Sequence, residues 1–512
     1  MQQKKLIEQM QQAHFYPHSV QNSIKGIQTH ISYVLLTGNY AYKIKKAVNF
    51  GFLDFSTLAK RKFFLEEELR LNKQNAPEIY LEVLPITKIG EIYRLNGRGE
   101  TQEYVLKMRQ FSQDDLLSRM LEQGKLTTKH LEDLGKMVAL FHEKSQTNDE
   151  IKSFGTGEKI KASIDDNYGH TAKYIGITQS QQQYEETKRF TDNFLSEKKE
   201  IFSSRRENNK IKECHGDLHL KNICWWQNKI QLFDRIEFNE EFRFIDVIAD
   251  VAFTVMDLEA RGFQELGNVF LNTYLENTGD WEGVQVLPLY LCRQAYVRAK
   301  VFSLMLDEGA LSEQEKEKVT KTAVNYYQLA WKYTLPKQGK LILMSGLSGA
   351  GKSTVAEEIA KKSNGIKIRS DAVRKHLGGM ALEEHGGNEL YTPAMSEKTY
   401  NRLLALGIIL ASQGWVVILD GKYDRQIWRE RAYVAAEVAK LSLEIIHCTA
   451  PMGVLRDRLA QRTGDISDAT VNLLTEQQTA AEPFTEAERK YVTTIDTTQD
   501  WSTQLNFGAL LN

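Results

Sequence analysis

The sequence predicts a mixed α/β chain in two successive parts: a bilobal α+β part, then an α/β part built on a parallel sheet. Three observations carry that expectation. Short β-type runs at 31–50 and 80–108 give way to helical periodicity from about 114 to 205. A helix stop and turn cluster, Thr334-Leu335-Pro336-Lys337-Gln338-Gly339-Lys340, later interrupts the chain. Directly after it an apolar strand runs into a glycine-rich loop and an amphipathic helix, as in a parallel α/β unit. We therefore expect one domain over 1–335, with a small lobe to about 110 and a large lobe over about 111–335, and a second domain over 336–512.

Length and composition agree with this division. At about 100–200 residues per domain, 512 residues suggest two to four domains. Hydrophobic residues at 42% and charged residues at 26% are those of an ordinary globular protein, which sets aside disorder and collagen-like repeats. Lys+Arg number 66 against 67 Asp+Glu, so the formal net charge of −1 supplies no overall field for polyanions. A nucleic-acid partner would need a local basic groove. The four cysteines, Cys214, Cys224, Cys292 and Cys448, show neither CxxC nor paired spacing, so we expect reduced thiols and a cytoplasmic protein. No run approaches the roughly 18 apolar residues that span a bilayer, and no membrane partner is expected.

In chain order, strands are expected at 31–36 and 40–44 around the turn Thr37-Gly38-Asn39, a helix over 57–72 and a strand at 104–108. Strands return at 223–226 and 230–233. A helix over about 312–333 carries Val319, Ala323, Tyr326, Tyr327 and Ala330 at helical spacing. A small strand-rich lobe followed by a larger helical lobe is the pattern of a protein-kinase-like fold.

The chemistry of that lobe pair centres on His215-Gly216-Asp217-Leu218-His219-Leu220-Lys221-Asn222, with Phe233-Asp234 after two short strands. Phosphoryl transfer from ATP to a hydroxyl needs a carboxylate to orient and deprotonate the acceptor, and oxygen ligands for Mg²⁺. Asp217 and Asn222 have the Asp-to-Asn spacing of a kinase catalytic loop, and Asp234 stands where a metal-binding carboxylate is required. The segment resembles the HGDxHxxN loop of the aminoglycoside phosphotransferase family. That resemblance implies Asp217 as base, and Asn222 and Asp234 as Mg²⁺ ligands. Arg235-Ile236 follows Asp234 in place of Phe-Gly, which argues against a protein-kinase activation segment. The stretch 244–250 resembles the family's supporting acidic helix, with Asp246 and Asp250 sharing one helix face as structural buttresses.

The family also implies a lysine on the α- and β-phosphates, paired with a helix glutamate. Lys43 is our choice, and Lys45, which shares its strand face by period-2 alternation, is the alternative for the same role. The partner comes from Glu66-Glu67-Glu68, and the sequence does not say which of the three faces inward. No GxGxxG loop precedes Lys43, so a phosphate-covering loop of different construction is implied.

The second part opens with a strand at 341–344 and then Gly346-Leu347-Ser348-Gly349-Ala350-Gly351-Lys352-Ser353-Thr354 ahead of a helix. This matches G-x-x-x-x-G-K-[ST], in which glycines let backbone N–H groups close around phosphate oxygens at a helix N-terminus. Lys352 would reach the β- and γ-phosphates, and the Ser353 hydroxyl would bind Mg²⁺. A strand at 366–368 leads into Arg369-Ser370-Asp371, with Arg374 beyond it, and a buried-type strand at 416–420 ends in Asp420, suited to serve Mg²⁺. Arg456, Arg458 and Arg462 fall on an expected helix, and Asp465–Ala469 reads as a turn and helix N-cap. The set resembles small P-loop kinases of the chloramphenicol phosphotransferase, zeta-toxin and polynucleotide-kinase type. By that resemblance Asp371 is the base, Arg374 an acceptor contact, and Arg458 and Arg462 lid residues on the transferring phosphate.

As a whole the chain resembles bacterial fusions of an aminoglycoside-phosphotransferase-like half with a P-loop half. The leading expectation is a tandem phosphotransferase using ATP and Mg²⁺ on hydroxyls of small molecules. A polynucleotide 5′-hydroxyl kinase, and an ATP-binding regulator with one non-transferring half, are the two alternatives.

Overall fold

The computed structural model describes residues 2–21, 23–51, 53–307, 311–462 and 464–508. They pack into two compact units: Met1–His130 with Leu140–Gly169 and Asp192–Asp257, and Leu131–Ala139 with His170–Thr191 and Leu258–Asn512. The second unit thus draws on residues well before 336.

In the first unit, β1 (Lys25–Gln28), β2 (Ser32–Leu36), β3 (Tyr40–Lys45), β4 (Tyr80–Ile89), β5 (Ile92–Leu95) and β6 (Glu100–Arg109) form one antiparallel sheet. Their order is β1-β2-β3-β6-β4-β5. Alternation along β3 sorts its residues between two faces. Tyr42 and Ile44 enter a core with Leu35, Ile86 and Val105, so Lys43 and Lys45 face the other side. On the lysine side lies the helix Leu58–Lys73, whose first turn is capped where Thr57 accepts the Lys60 N–H. Its Leu65 packs with Ile79 and Leu106.

The His215–Asn222 loop is framed by β7 (Ile211–Glu213) paired with β10 (Phe244–Asp246), and by the hairpin β8 (Ile223–Trp226)–β9 (Lys229–Leu232). One expectation needs correction here. Asp246 ends strand β10 rather than sharing a helix face with Asp250, which lies in the first turn of the helix Val247–Ala260. Asp246 is drawn into the strand by Arg205, which donates to both of its oxygens at 2.5 and 2.7 Å.

In the second unit, β11 (Lys340–Ser345), β12 (Ile366–Arg369), β13 (Val416–Asp420), β14 (Ser442–Thr449) and β15 (Val492–Asp496) make a parallel sheet in the order β12-β13-β11-β14-β15. The class is the mixed α/β one that the sequence predicts. Ile342, Ile418 and Ile446 of its three central strands are fully buried, each worth about 1.5–3 kcal/mol of transfer free energy. The helix Gln264–Thr278 lies along the edge strand β12: Asn268 and Asn272 donate to the Gly365 carbonyl, and Asn272 Oδ1 accepts the Lys367 N–H at 2.7 Å. The helix Glu313–Lys332 starts at a capping box of Ser312 and Glu315, within two residues of its expected bounds. The 465–469 segment is a second correction: it caps no helix, and Leu473–Ala480 begins after Asn472.

Candidate active sites

In the first unit Lys43 Nζ donates to Glu68 Oε1 and to Asp234 Oδ1, each at 2.7 Å. Lys45 takes the other oxygen of Glu68 at 2.8 Å and also pairs with Glu237. Glu68 is therefore the inward member of its triplet. Glu66 pairs at the surface with Lys62, and Glu67 with Arg70 and Arg243. Burial opposes charge throughout this cluster. It pushes Glu68 up, yet Lys43 and Lys45 prevail and bring its carboxyl down to about 2. It pushes Lys43 down, yet Asp234, Glu68 and Glu237 hold the ammonium well above its ordinary range. For Glu237 burial wins, and its carboxyl is raised.

Asp234 sits at φ +62°, a left-handed conformation costly for a non-glycine residue. Tyr80 Oη accepts its N–H at 3.0 Å, and its carboxylate stays partly exposed beside Lys43. The next residue explains the missing Phe-Gly. Arg235 is buried and donates to the carbonyls of Leu71, Glu213 and Cys214, tying the Asp234 loop to the glutamate helix.

The loop bearing Asp217 is fixed by its backbone. Asp250 accepts the N–H groups of His215 and Gly216 at 2.6 and 2.8 Å, which gives it the supporting position expected of it. His215 donates from Nε2 to the Phe233 carbonyl and accepts the Asp217 N–H at Nδ1, a neutral ring that burial favours by lowering its pKa. Asn222 Nδ2 donates to Asp217 Oδ2 at 3.0 Å. His219 Nε2 lies 3.4 Å from the same oxygen, a motif residue whose spacing alone assigns it no role. A buried trio of His142, Cys214 and Asp250 has metal-ligand composition, but Asp250 is committed to the loop and to His142.

In the second unit the P-loop joins β11 to the helix Lys352–Ser363. Gly346, Gly349 and Gly351 have positive φ, and a Cβ on Gly346 would stand 2.3 Å from the Cys448 carbonyl oxygen. Ala350 is buried in the core beneath the loop, and Ser353 and Thr354 open the helix. The Ser348 N–H is capped by Gln477 Oε1 at 3.1 Å. Lys352 Nζ donates to the Leu347 carbonyl at 2.8 Å; burial lowers its pKa, with Asp420 opposing. Asp420, at the end of β13, is buried with Oδ2 lacking a hydrogen-bond partner. That orphaned oxygen and the Ser353 hydroxyl are hard oxygen donors, of the kind that suits Mg²⁺.

Asp371 lies in the first turn of the helix Ser370–Leu377, near enough to act on the charge of both Lys352 and Arg369. Arg374 is buried, donates to the Leu390 carbonyl at 2.8 Å and faces the Tyr391 ring. Arg458 donates to the Gly349 carbonyl and to Thr497, so it braces the P-loop from behind. Arg462 donates to the Ser467 and Ala469 carbonyls within its own turn. Asp465 and Asp468 of that turn reach Arg369, and Tyr391 with His385, respectively. No sequence motif marks Arg369 or Glu276, which stand 3.6 Å apart.

Residues 341–484 match the family model described as AAA domain. Over 451 residues the chain is 29% identical to an uncharacterized protein of Mycobacterium tuberculosis, covering 87% of this chain and 88% of the relative. An uncharacterized protein of Mycobacterium bovis matches equally. Among solved structures, a gluconokinase from Sinorhizobium meliloti is 20% identical at a TM-score of 0.26, over 34% of this chain and 94% of that one. A choline kinase from Cryptosporidium parvum is 13% identical at a TM-score of 0.38, over 61% of this chain and 88% of that one. Among the described residues no helix is long and apolar enough to cross a membrane.

Proposed function

We propose that the chain is an ATP-dependent phosphotransferase with two centres, each moving the γ-phosphate of ATP to a hydroxyl of a small-molecule acceptor. The observation that carries the reading is the convergence in the first unit of Lys43, Glu68 and Asp234 through two 2.7 Å contacts, with Asp217 and Asn222 in mutual contact. These residues are dispersed in sequence and are the parts phosphoryl transfer requires. The P-loop, Lys352, Asp371 and Asp420 supply the corresponding parts in the second unit.

In each centre an acceptor O–H gives its proton to a carboxylate, Asp217 or Asp371, as its oxygen forms the new P–O bond. The bond from the γ-phosphorus to the β,γ-bridging oxygen breaks, and ADP leaves. Mg²⁺, when bound, neutralises charge building on the phosphates. Asn222 and Asp234 would hold it in the first centre, Ser353 and Asp420 in the second. Lys43 would hold the α- and β-phosphates, positioned by Glu68. Lys352 would leave the Leu347 carbonyl for the β- and γ-phosphates, and Arg374 would fix the acceptor segment. Arg458 and Arg462 would close over the nucleotide only by giving up their present carbonyl partners. The four buried free thiols fit the reducing cytoplasm.

The test is incubation of the protein with γ-labelled ATP and fractionated metabolites, beside Asp217→Ala and Asp371→Ala. Each substitution should lower one labelled product about 10²–10⁴-fold and spare the other. Labelling unchanged in both variants would remove these bases from the mechanism.

A further inference from the structure

Arg369 ends β12, two residues before Asp371, and its guanidinium meets three carboxylates. Nη2 bonds Asp465 of the 465–469 turn at 2.5 Å. Nε lies 3.6 Å from Glu276 Oε1 and 3.8 Å from Asp420 Oδ2. One N–H thus stands between Glu276 and Asp420, and both facing oxygens are buried with no hydrogen-bond partner. Glu276 belongs to the helix Gln264–Thr278, outside the residues that match the AAA domain model. Its place is fixed on three sides: Asn268 and Asn272 bond β12, and the Glu276 carbonyl accepts from His376 Nε2 at 2.8 Å. Glu276 and Arg369 also line a polar cleft of about 200 Å³ with Asn277, Glu357, Lys367 and Gly464. A polar cleft of that size has room for water, so Glu276→Gln would not strand a dry charge.

We propose that Glu276 is a positioning residue of the P-loop centre: by sharing the Arg369 guanidinium it leaves the Asp420 carboxylate available to the nucleotide's divalent cation. The inference rests on the reading of that centre as an Mg²⁺–nucleotide site. Its physical basis is competition for one carboxylate. An Arg369 shared with Asp465 and Glu276 has little pull left for Asp420. Without the charge on Glu276, its Nε–H closes the 3.8 Å gap to Asp420 Oδ2 and opposes a cation there. A residue from before the P-loop segment thereby tunes the metal affinity of the P-loop centre.

The test uses the full chain and a fluorescent ATP analogue, titrated with and without Mg²⁺. The P-loop component is defined as the binding lost in Lys352→Ala. Glu276→Gln should weaken the Mg²⁺-dependent affinity of that component about tenfold and leave the Mg²⁺-free affinity unchanged. Glu276→Asp should recover part of it. On an Arg369→Gln background, Glu276→Gln should have no further effect. Equal Mg²⁺ dependence in Glu276→Gln and the parent chain overturns the proposal. So does an equal loss with and without Mg²⁺, which marks a merely structural role. The absence of any Lys352-dependent binding overturns the nucleotide reading itself, and the proposal with it.

Discussion

Glu68 is the residue on which the first centre turns. It is completely buried, and its two oxygens are divided between Lys43 and Lys45. Breaking a buried pair strands the partner charges, and here there are two of them. Glu68→Gln should therefore cost about 3–5 kcal/mol in urea unfolding at pH 7. The pH dependence has a fixed sign. The native carboxyl is depressed to about 2 from an ordinary 4.5, so its contribution is complete above 4.5 and is lost as pH falls towards 2. The deficit of Glu68→Gln relative to the parent chain should hold from pH 7 to 4.5 and narrow below it. Legibility at this scale follows sequence locality. Asp217, Asn222 and the P-loop glycines are spaced by local backbone geometry, so the sequence displays them. Glu68 was one of three neighbouring carboxylates, and the helix register that turns it inward depends on packing against Leu106, remote in sequence. Glu237, which completes the Lys45 pair, left no periodic signal.

At the scale of elements, the edge strand β12 is the instructive case. An edge exposes unpaired N–H and C=O groups, and here two asparagines of the helix Gln264–Thr278 satisfy them. Asn272→Ala leaves the Gly365 carbonyl with Asn268 alone and the Lys367 N–H without its acceptor. We expect a loss of about 1–3 kcal/mol and faster hydrogen exchange at Lys367, with amides of the β1–β6 sheet unchanged. Unchanged exchange at Lys367 would mean that the helix does not protect the edge. The strands at 341–344, 366–368 and 416–420 are visible in sequence because apolar runs are local, whereas β14 and β15 are not singled out by it. Nor is the cover of β12, since an asparagine on a helix reads as a solvated position until its partner is known. Asp246 shows the same limit: a four-residue spacing suggested one helix face, and a strand pairing with Ile211 decided otherwise.

For the whole molecule, the turn at 334–340 marks a change of pattern, while the second compact unit reaches back to 258 and takes in 131–139 and 170–191. A fragment of 336–512 would keep every P-loop residue and lose the cover of β12 together with Glu276. We expect it to self-associate on size exclusion and to unfold at lower temperature than the full chain. A monomeric fragment with the full-chain midpoint would show that the P-loop segment stands alone. The interleaving also sets an order of events during synthesis. Residues 131–139 and 170–191 leave the ribosome roughly 15–60 s before the C-terminal strand β15 that completes their unit, at about 5–20 residues per second. In that interval the first unit, finished at Asp257, can close around its own contacts, while 131–139 waits for Phe270 and Thr273, and 170–191 for Tyr296, Ser303, Gln328 and Trp331. The chain must therefore keep part of its early product from misassociating until the helix Glu313–Lys332 has been translated.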